Sequence, residues 1–483
     1  MNIRLITTIE KIRNGYWFVP ALMVVVAVAL SFITVAIDHS LVDRWSGGSF
    51  GWLGSGDPDG ARSFLSTVAG SMITIAGVTF SITMVALAQA SAQFGPRVLT
   101  NFMRDRGNQI VLGTFIATFT YCLFVLRSVK SIVDGVFVPH VSILVGVALA
   151  IASVGVLVYF FHHITMLLRA EYIIEDVGAQ LGIAVQHLYP EQLDYSRYMH
   201  QLQAEEDRPT ELDMDDAYMI TVSRRGYVQV IDIEGLVKLA EQQDGIMRLN
   251  YRPGDYVVEG SEIAALWSDD DPGDDVREQI AGAFVLGKQR LRMQDVEFPV
   301  HQLVEIAVRA LSPGINDPFT AMACINQLSS GLAQLVERSI PAGFHYDDAG
   351  RLRLLTDALT FTDVLEAAFH QIRQHARGDV AVTLALLDAI ATIATHTRTR
   401  EQRVTLSRQA EMILRGSQDA VPEEWDRDDI KAHYEAAVHE LSEQPDDEEG
   451  EEAENGASGT ETAPESESES TDPGVVQNAD FVS

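Results

Sequence analysis

The sequence predicts an α-helical membrane domain of four transmembrane helices, plus a cytosolic α+β part in which a small β module is followed by a helical domain. Three observations carry this expectation. Long apolar runs crowd into the first 170 residues, residues 216–268 alternate apolar and polar positions, and the segments from 274 to 441 repeat apolar residues at helical spacing. A chain of 483 residues has room for two or three domains. The expected boundaries are a membrane domain over 1–170, a connecting helix and linker over 171–215, the β module over 216–268, the helical domain over 274–441 and an acidic tail over 442–483.

Residues 17–37 and 138–161 are nearly all apolar, 65–90 is long with scattered hydroxyls, and 110–126 is shorter. Runs of about 17 to 25 residues match the hydrocarbon thickness of a bilayer. The first run is too long for the apolar core of a signal peptide, so it is read as a retained anchor. Lys and Arg near the span ends set the orientation. Arg4, Lys11, Arg13, Arg97, Arg104, Arg106 and Arg169 flank one side, against Arg44, Arg62, Arg127 and Lys130 on the other. Both termini are therefore expected in the cytoplasm, with Tyr16, Trp17 and Phe18 at one interface and Trp45 and Trp52 in an outer loop.

The second span raises a question of its own. In SMITIAGVTFSITMVALAQASAQFGP, hydroxyls and glycines recur inside an apolar helix. At 3.6 residues per turn Thr67, Ser71, Thr74 and Ser81 fall close to one face, with Gly70 and Gly77 on its flank and Thr79 and Thr83 on the other side. Small residues let membrane helices approach closely, so one reading is tight helix packing. The other is a polar path lined by this helix, in an oligomer. No Asp, Glu, Lys, Arg or His lies in the middle of any run, which argues against a proton relay or a strongly ion-coupled pump. His162 and His163, at the inner end of the fourth run, are read as interfacial because adjacent helix positions point about 100° apart. After Gly95 and Pro96 break the second helix, a short basic helix is expected before the third.

Charge excludes one class of partner. With 68 acidic against 35 basic residues and a net charge of -33, binding of nucleic acid through its phosphates is not expected. The tail QPDDEEGEEAENGASGTETAPESESESTDPG has no Lys or Arg and too few apolar residues to fold. A solubilising terminus explains it, and a partner-binding tail is the alternative. The two cysteines, Cys122 and Cys324, allow no disulfide framework and no zinc-finger spacing.

Beyond Arg169 a charged helix runs to about residue 188. The segment AYMITVSRRGYVQVIDI then alternates as strands around an Arg-Gly turn, EGLVKLAEQQ is a helical insert, and GIMRLNYRPGDYVVEGSEIAALW returns to strands. Its RPGDYVVEGSEIAAL resembles one half of a barrel-sandwich hybrid domain, the group of lipoyl and biotinyl carriers. That likeness covers some forty-five residues. The carrier role does not transfer, since Lys238 lies in the insert and not at a hairpin tip, and no prosthetic group or other cofactor is expected.

Everything after the linker SDDDPGDD reads as helices, beginning with DDVREQIAGAFVLGKQRLRMQ, apart from a hairpin in GFHYDDAGRLRLLT. In RALSPGINDPFTA, where Arg309, Ser312, Gly314, Asn316 and Asp317 gather at one corner, Pro313 and Gly314 stop one helix, Asn316 or Asp317 caps the next, and Pro318 suits its first turn. A capped corner suffices structurally. The functional reading is a ligand or interface corner, with an anion at the helix N-terminus assisted by Arg309 or by Arg290 and Arg292. His301 and Glu305 stand four apart but make only two of the ligands a metal needs.

The order of four spans, strand module and RALSPGINDPFTA, with GVTFSITMVALAQASAQFGPRVLTNFMRDRGNQIVLGTFIATFTYCLFVLR at the end of the second span, resembles a family of uncharacterised predicted bacterial integral membrane proteins, a domain of unknown function. The likeness covers residues 5–440 and implies a bacterial inner-membrane protein. No nucleophile elbow, Walker loop, HExxH or paired-carboxylate motif appears, so an enzyme is not expected. Two functions remain: a channel-like homo-oligomer in the lipid bilayer, gated by its cytosolic part, and a noncatalytic membrane scaffold or ligand sensor.

Overall fold

The computed structural model describes residues 17–45, 58–96, 105–129, 137–167, 169–191, 216–291, 293–341 and 343–443. The expected basic helix near 97–104, Arg292, most of the linker before 216 and the acidic tail from 444 lie outside them.

Among the described residues four helices are long and apolar enough to cross a membrane: α1 (Phe18–Trp45), α2 (Pro58–Phe94), α3 (Arg106–Ser128) and α4 (His140–Leu167). α3 is central, touching α1, α2 and α4. Gly113 of α3 lets α1 come close, because a Cβ there would strike Met23 and Pro20. Each helix begins or ends beyond the apolar run that predicts it. α1 runs on through Asp38, which is buried. Its carboxylate accepts hydrogen bonds from the amides of Val141 and Ser142 (2.8 and 2.9 Å) and from the Ser142 hydroxyl (2.6 Å), so it caps the start of α4. A negative group suits a helix N-terminus, and saturating its oxygens offsets the cost of burying it. Tyr121 of α3 joins the cluster by donating to the Ser142 carbonyl at 2.9 Å.

α5 (Ala170–Leu188) follows α4 directly and leads into the extramembrane part. The strands there are β1 (Tyr218–Thr221), β2 (Gly226–Ile231), β3 (Ile246–Leu249), β4 (Tyr256–Val257), β5 (Glu262–Trp267) and β6 (Phe284–Gly287), with α6 (Ile233–Gln242) and α7 (Gly273–Gly282) among them. The helices α8 (Glu297–Ala310), α9 (Pro318–Val336), α10 (Phe361–His375), α11 (Val380–Ala394), α12 (Arg400–Gln418) and α13 (Glu424–Glu443) complete the order, with the hairpin β7 (Phe344–Tyr346) and β8 (Leu352–Leu355) after α9.

Two sheets, ordered β1-β5-β3-β8-β7 and β4-β2-β6, enclose a core that includes Val228, Leu236, Met247, Ile263, Leu266, Ile280 and Leu354. Two expectations are corrected here. Residues 284–287, read as part of a helix, form a strand paired with β2, so the module reaches to about 287 and not 268. The hairpin is present as expected, yet it belongs to the module's sheet, because β8 pairs in parallel with β3 through Met247 and Leu354. Both shifts come from pairing partners distant in sequence, which helical spacing cannot report.

Arg353 ties that hairpin to the turn between α6 and β3. Its guanidinium donates to Asp347 (2.8 Å), to the Gly245 carbonyl (3.1 Å) and to Asp244 (2.8 Å). Burial works to raise the Asp347 carboxyl, but the amides of Arg351 and Ala349 and the Arg353 guanidinium hold it down to about 2, from an ordinary 3.8. A carboxyl depressed in the folded state stabilises at pH values above its unfolded value and loses that contribution as pH falls through its folded one. The denaturant midpoint of the extramembrane part should therefore fall as pH drops from 3.8 to about 2. In Asp347→Asn the decline over that interval should be smaller, and an unchanged decline would remove Asp347 from the account.

Candidate functional site

α2 has 37 residues. At 1.5 Å per residue it measures about 55 Å, longer than the about 30 Å of bilayer hydrocarbon. Its C-terminal end is not free. Ala90 and Phe94 are buried in one continuous core with Leu167 of α4, Val300, Leu303 and Ala307 of α8, and Leu328 of α9. Burial of Phe94 alone contributes about 2 kcal/mol.

The polar groups at the α2 terminus are matched by α8. The last four carbonyls of a helix lack partners within it, and cations are favoured beside them. α2 has no basic residue in its last turn. Arg309 supplies one from α8, donating to the Ala92 carbonyl at 3.2 Å while standing 3.7 Å from Glu305. Gly95 ends the helix with φ +98°, and the Glu305 carboxylate lies where a Cβ on residue 95 would be. Glycine meets both demands, the positive φ and the close approach.

Along its length α2 has two unlike faces. The face toward α3 and α4 is built from Ala61, Leu65, Ala69, Met72, Ala76, Thr79, Thr83 and Ala86, all buried. The predicted face, Thr67, Gly70, Ser71, Thr74, Gly77 and Ser81, is exposed throughout. A Cβ on Gly70 or Gly77 would meet nothing. Thr67, Ser71 and Thr74 donate back to the carbonyls four residues earlier at 2.7, 2.8 and 2.8 Å. The close packing within this chain is thus made by the alanine face and not by the hydroxyl stripe.

The corner between α8 and α9 is a capped reversal. Asp317 accepts from the Thr320 amide (3.2 Å) and hydroxyl (2.6 Å), Asn316 has φ +50°, and the Ser312 hydroxyl donates to the Arg309 carbonyl at 2.6 Å. Gly314 has open space around it. The anion reading gains nothing from this geometry, because a carboxylate of the chain itself occupies the α9 N-terminus and Arg309 is directed to α2. Arg290 is engaged too, by Asp295 at 2.7 and 2.8 Å, Glu297 at 3.2 Å and His301 at 3.2 Å. His301 and Glu305 therefore face different partners, and no group of three metal-ligating side chains exists among the described residues. His163 pairs with Asp105 at 2.8 Å, the same carboxylate that caps α3 through the Asn108 amide.

Sequence reasoning missed the pairing of Glu305 and Arg309 with Gly95 and Ala92. The available signals were the spacing of Leu87, Ala90 and Phe94, which continues an apolar helical face past the expected span, and the acid and base four apart on α8. It also missed an open groove of about 740 Å³ between α9 and α11, lined by Asn326, Ser330, Gln334, Asp388 and His396 among others.

Gly95→Ala should destabilise the protein by about 1–2 kcal/mol, from the positive φ alone, with the clash against Glu305 added. Gly77→Ala, in open space within the α2 interior, should be neutral or stabilising by up to about 1 kcal/mol. Denaturation in detergent micelles compares the two, and equal stabilities would contradict the junction.

The family described as "Predicted membrane protein (DUF2254)" matches residues 13–392, which span the four membrane-length helices, the β module and the core of the helical part. The chain is 30% identical over 428 residues to the uncharacterized protein Rv1290c of Mycobacterium tuberculosis and to the uncharacterized protein Mb1321c of Mycobacterium bovis, covering 87% of this chain and 79% of each relative. No solved structure matches it. The chain, with its four apolar helices of span length, belongs to this DUF2254 family of membrane proteins.

Proposed function

We propose that the protein is a multi-pass protein of the bacterial inner membrane, with both termini and the extramembrane part in the cytoplasm, that forms a homo-oligomer around α2 and acts as a channel-like permeation protein gated by its cytoplasmic part. The observation that carries this reading is the hydroxyl and glycine stripe of α2, which is turned away from the other helices of its own chain. Lipid gains nothing from such a surface, whereas a second copy gains close approach and an axial path gains polar lining. The excess of Arg and Lys on one side supports the orientation. The junction supports gating, since a shift of α8 acts on the end of the helix that carries the stripe.

The second reading, a noncatalytic scaffold or ligand sensor anchored by its helices, is favoured by the groove between α9 and α11. Single-channel recording in planar bilayers separates the two. The expected result is a current from the native chain that Ser71→Leu, Thr74→Leu and Ser81→Leu together abolish or alter. Disulfide cross-linking at Ser71→Cys reports the oligomer, because Cys122 and Cys324 are buried. A native chain that carries no current at any voltage, tension or pH contradicts the channel and leaves the sensor.

A further inference from the structure

Two helix registers set the height of the α8–α9 corner relative to the membrane. α9 runs parallel to α5, with Gln327 lying over Gly178, Leu181 over Gly331, and Gln334 beside Gly182. Phe319 precedes Gln327 by as many residues as Ala170 precedes Gly178, so Phe319 stands level with Ala170, about 12 Å from that contact. Ala170 opens α5 just after α4 ends at Leu167. The second register comes from α8, which runs antiparallel to α2. Glu305 meets Gly95 and Arg309 meets Ala92, so α8 advances toward the apolar part of α2 as it nears its end. Both registers place the corner on the side of the extramembrane part from which α2 and α4 arrive.

Beside Asn316, the corner exposes two large apolar side chains. Ile315 is 47% and Phe319 77% exposed, and the single charge between Leu311 and Phe319 is Asp317, already used as the cap of α9. Side chains at a helix start lean toward its N-terminus, which for Phe319 is the direction of the membrane. Large apolar side chains at the headgroup level, on a nearly uncharged reversal, are the groups that bury at a bilayer interface.

We infer that this corner is an interfacial anchor, in which Ile315 and Phe319 insert into the headgroup boundary of the leaflet facing the extramembrane part. The partner is the phospholipid surface itself. The inference rests on the reading that the four helices cross the bilayer. It makes α8 a strut between lipid and the α2 terminus, so bilayer thickness bears directly on the junction.

Nitroxide labels on the full chain in phosphatidylcholine vesicles test this, with Phe319→Cys and Ile315→Cys as test sites. Val154→Cys on α4 and Trp425→Cys on α13 serve as lipid and water references, all four positions being exposed. Labels at 315 and 319 should be relaxed more by oxygen than by a water-soluble nickel complex, as at 154, while 425 shows the reverse. Relaxation at 315 and 319 like that at 425 overturns the anchor. Protection from both agents with spin–spin broadening assigns the corner to a second copy and overturns it as well. A label at 154 that is relaxed by nickel defeats the spanning reading instead.

Discussion

Everything on both sides of the membrane boundary depends on the last two turns of α2, which are shared between the apolar helices and the extramembrane core. Ala90 and Phe94 share one core with α8 and α9 side chains, and the Ala92 carbonyl, which α2 cannot satisfy itself, is met by Arg309. A helix end left in water would fray. Docked in this way it becomes a rigid extension of the bundle, and α5, rising from the end of α4, packs on the same core. Close approach there relies on small side chains, since Leu181 lies over Gly331 and Gln327 over Gly178.

The same economy of polar groups holds along the membrane-length helices. Asp38 is buried because the start of α4 gives its carboxylate three donors, and Asp105 is held between the start of α3 and His163. The hydroxyls of Thr67, Ser71 and Thr74 are satisfied by their own helix, so they need no partner to be tolerated. Its position opposite the alanine face is what makes it informative. Had those residues been placed for packing within the chain, they would face α3; they face outward.

Much of this was legible in the sequence where the chemistry is local. The four apolar runs report helices of span length because length and apolarity are sufficient signals. The α9 start was legible in Asp317 and Pro318, whose roles are set by neighbours within three residues. The α2 stripe was legible as a face from spacing alone, but whether that face met α3 was not, because the alanine face has equal claim to close packing. The nonlocal parts were hidden. Phe284 to Gly287 reads as helix until β2 lies beside it, and Arg309 reads as a partner for an anion at the α9 start until the α2 terminus is seen to require a cation. Glu305, which with His301 made too few ligands for a metal site, lies against Gly95.

The central claim is that the end of α2 and the α8–α9 core form one cooperative unit. Hydrogen exchange of the full chain in lipid nanodiscs tests it most directly. Amides of residues 87–94 should exchange as slowly as those of the α9 interior, and Arg309→Ala should accelerate both together. Rapid exchange in 87–94 beside a protected α9 would show the helix end to be independent of the extramembrane core, and would contradict the account.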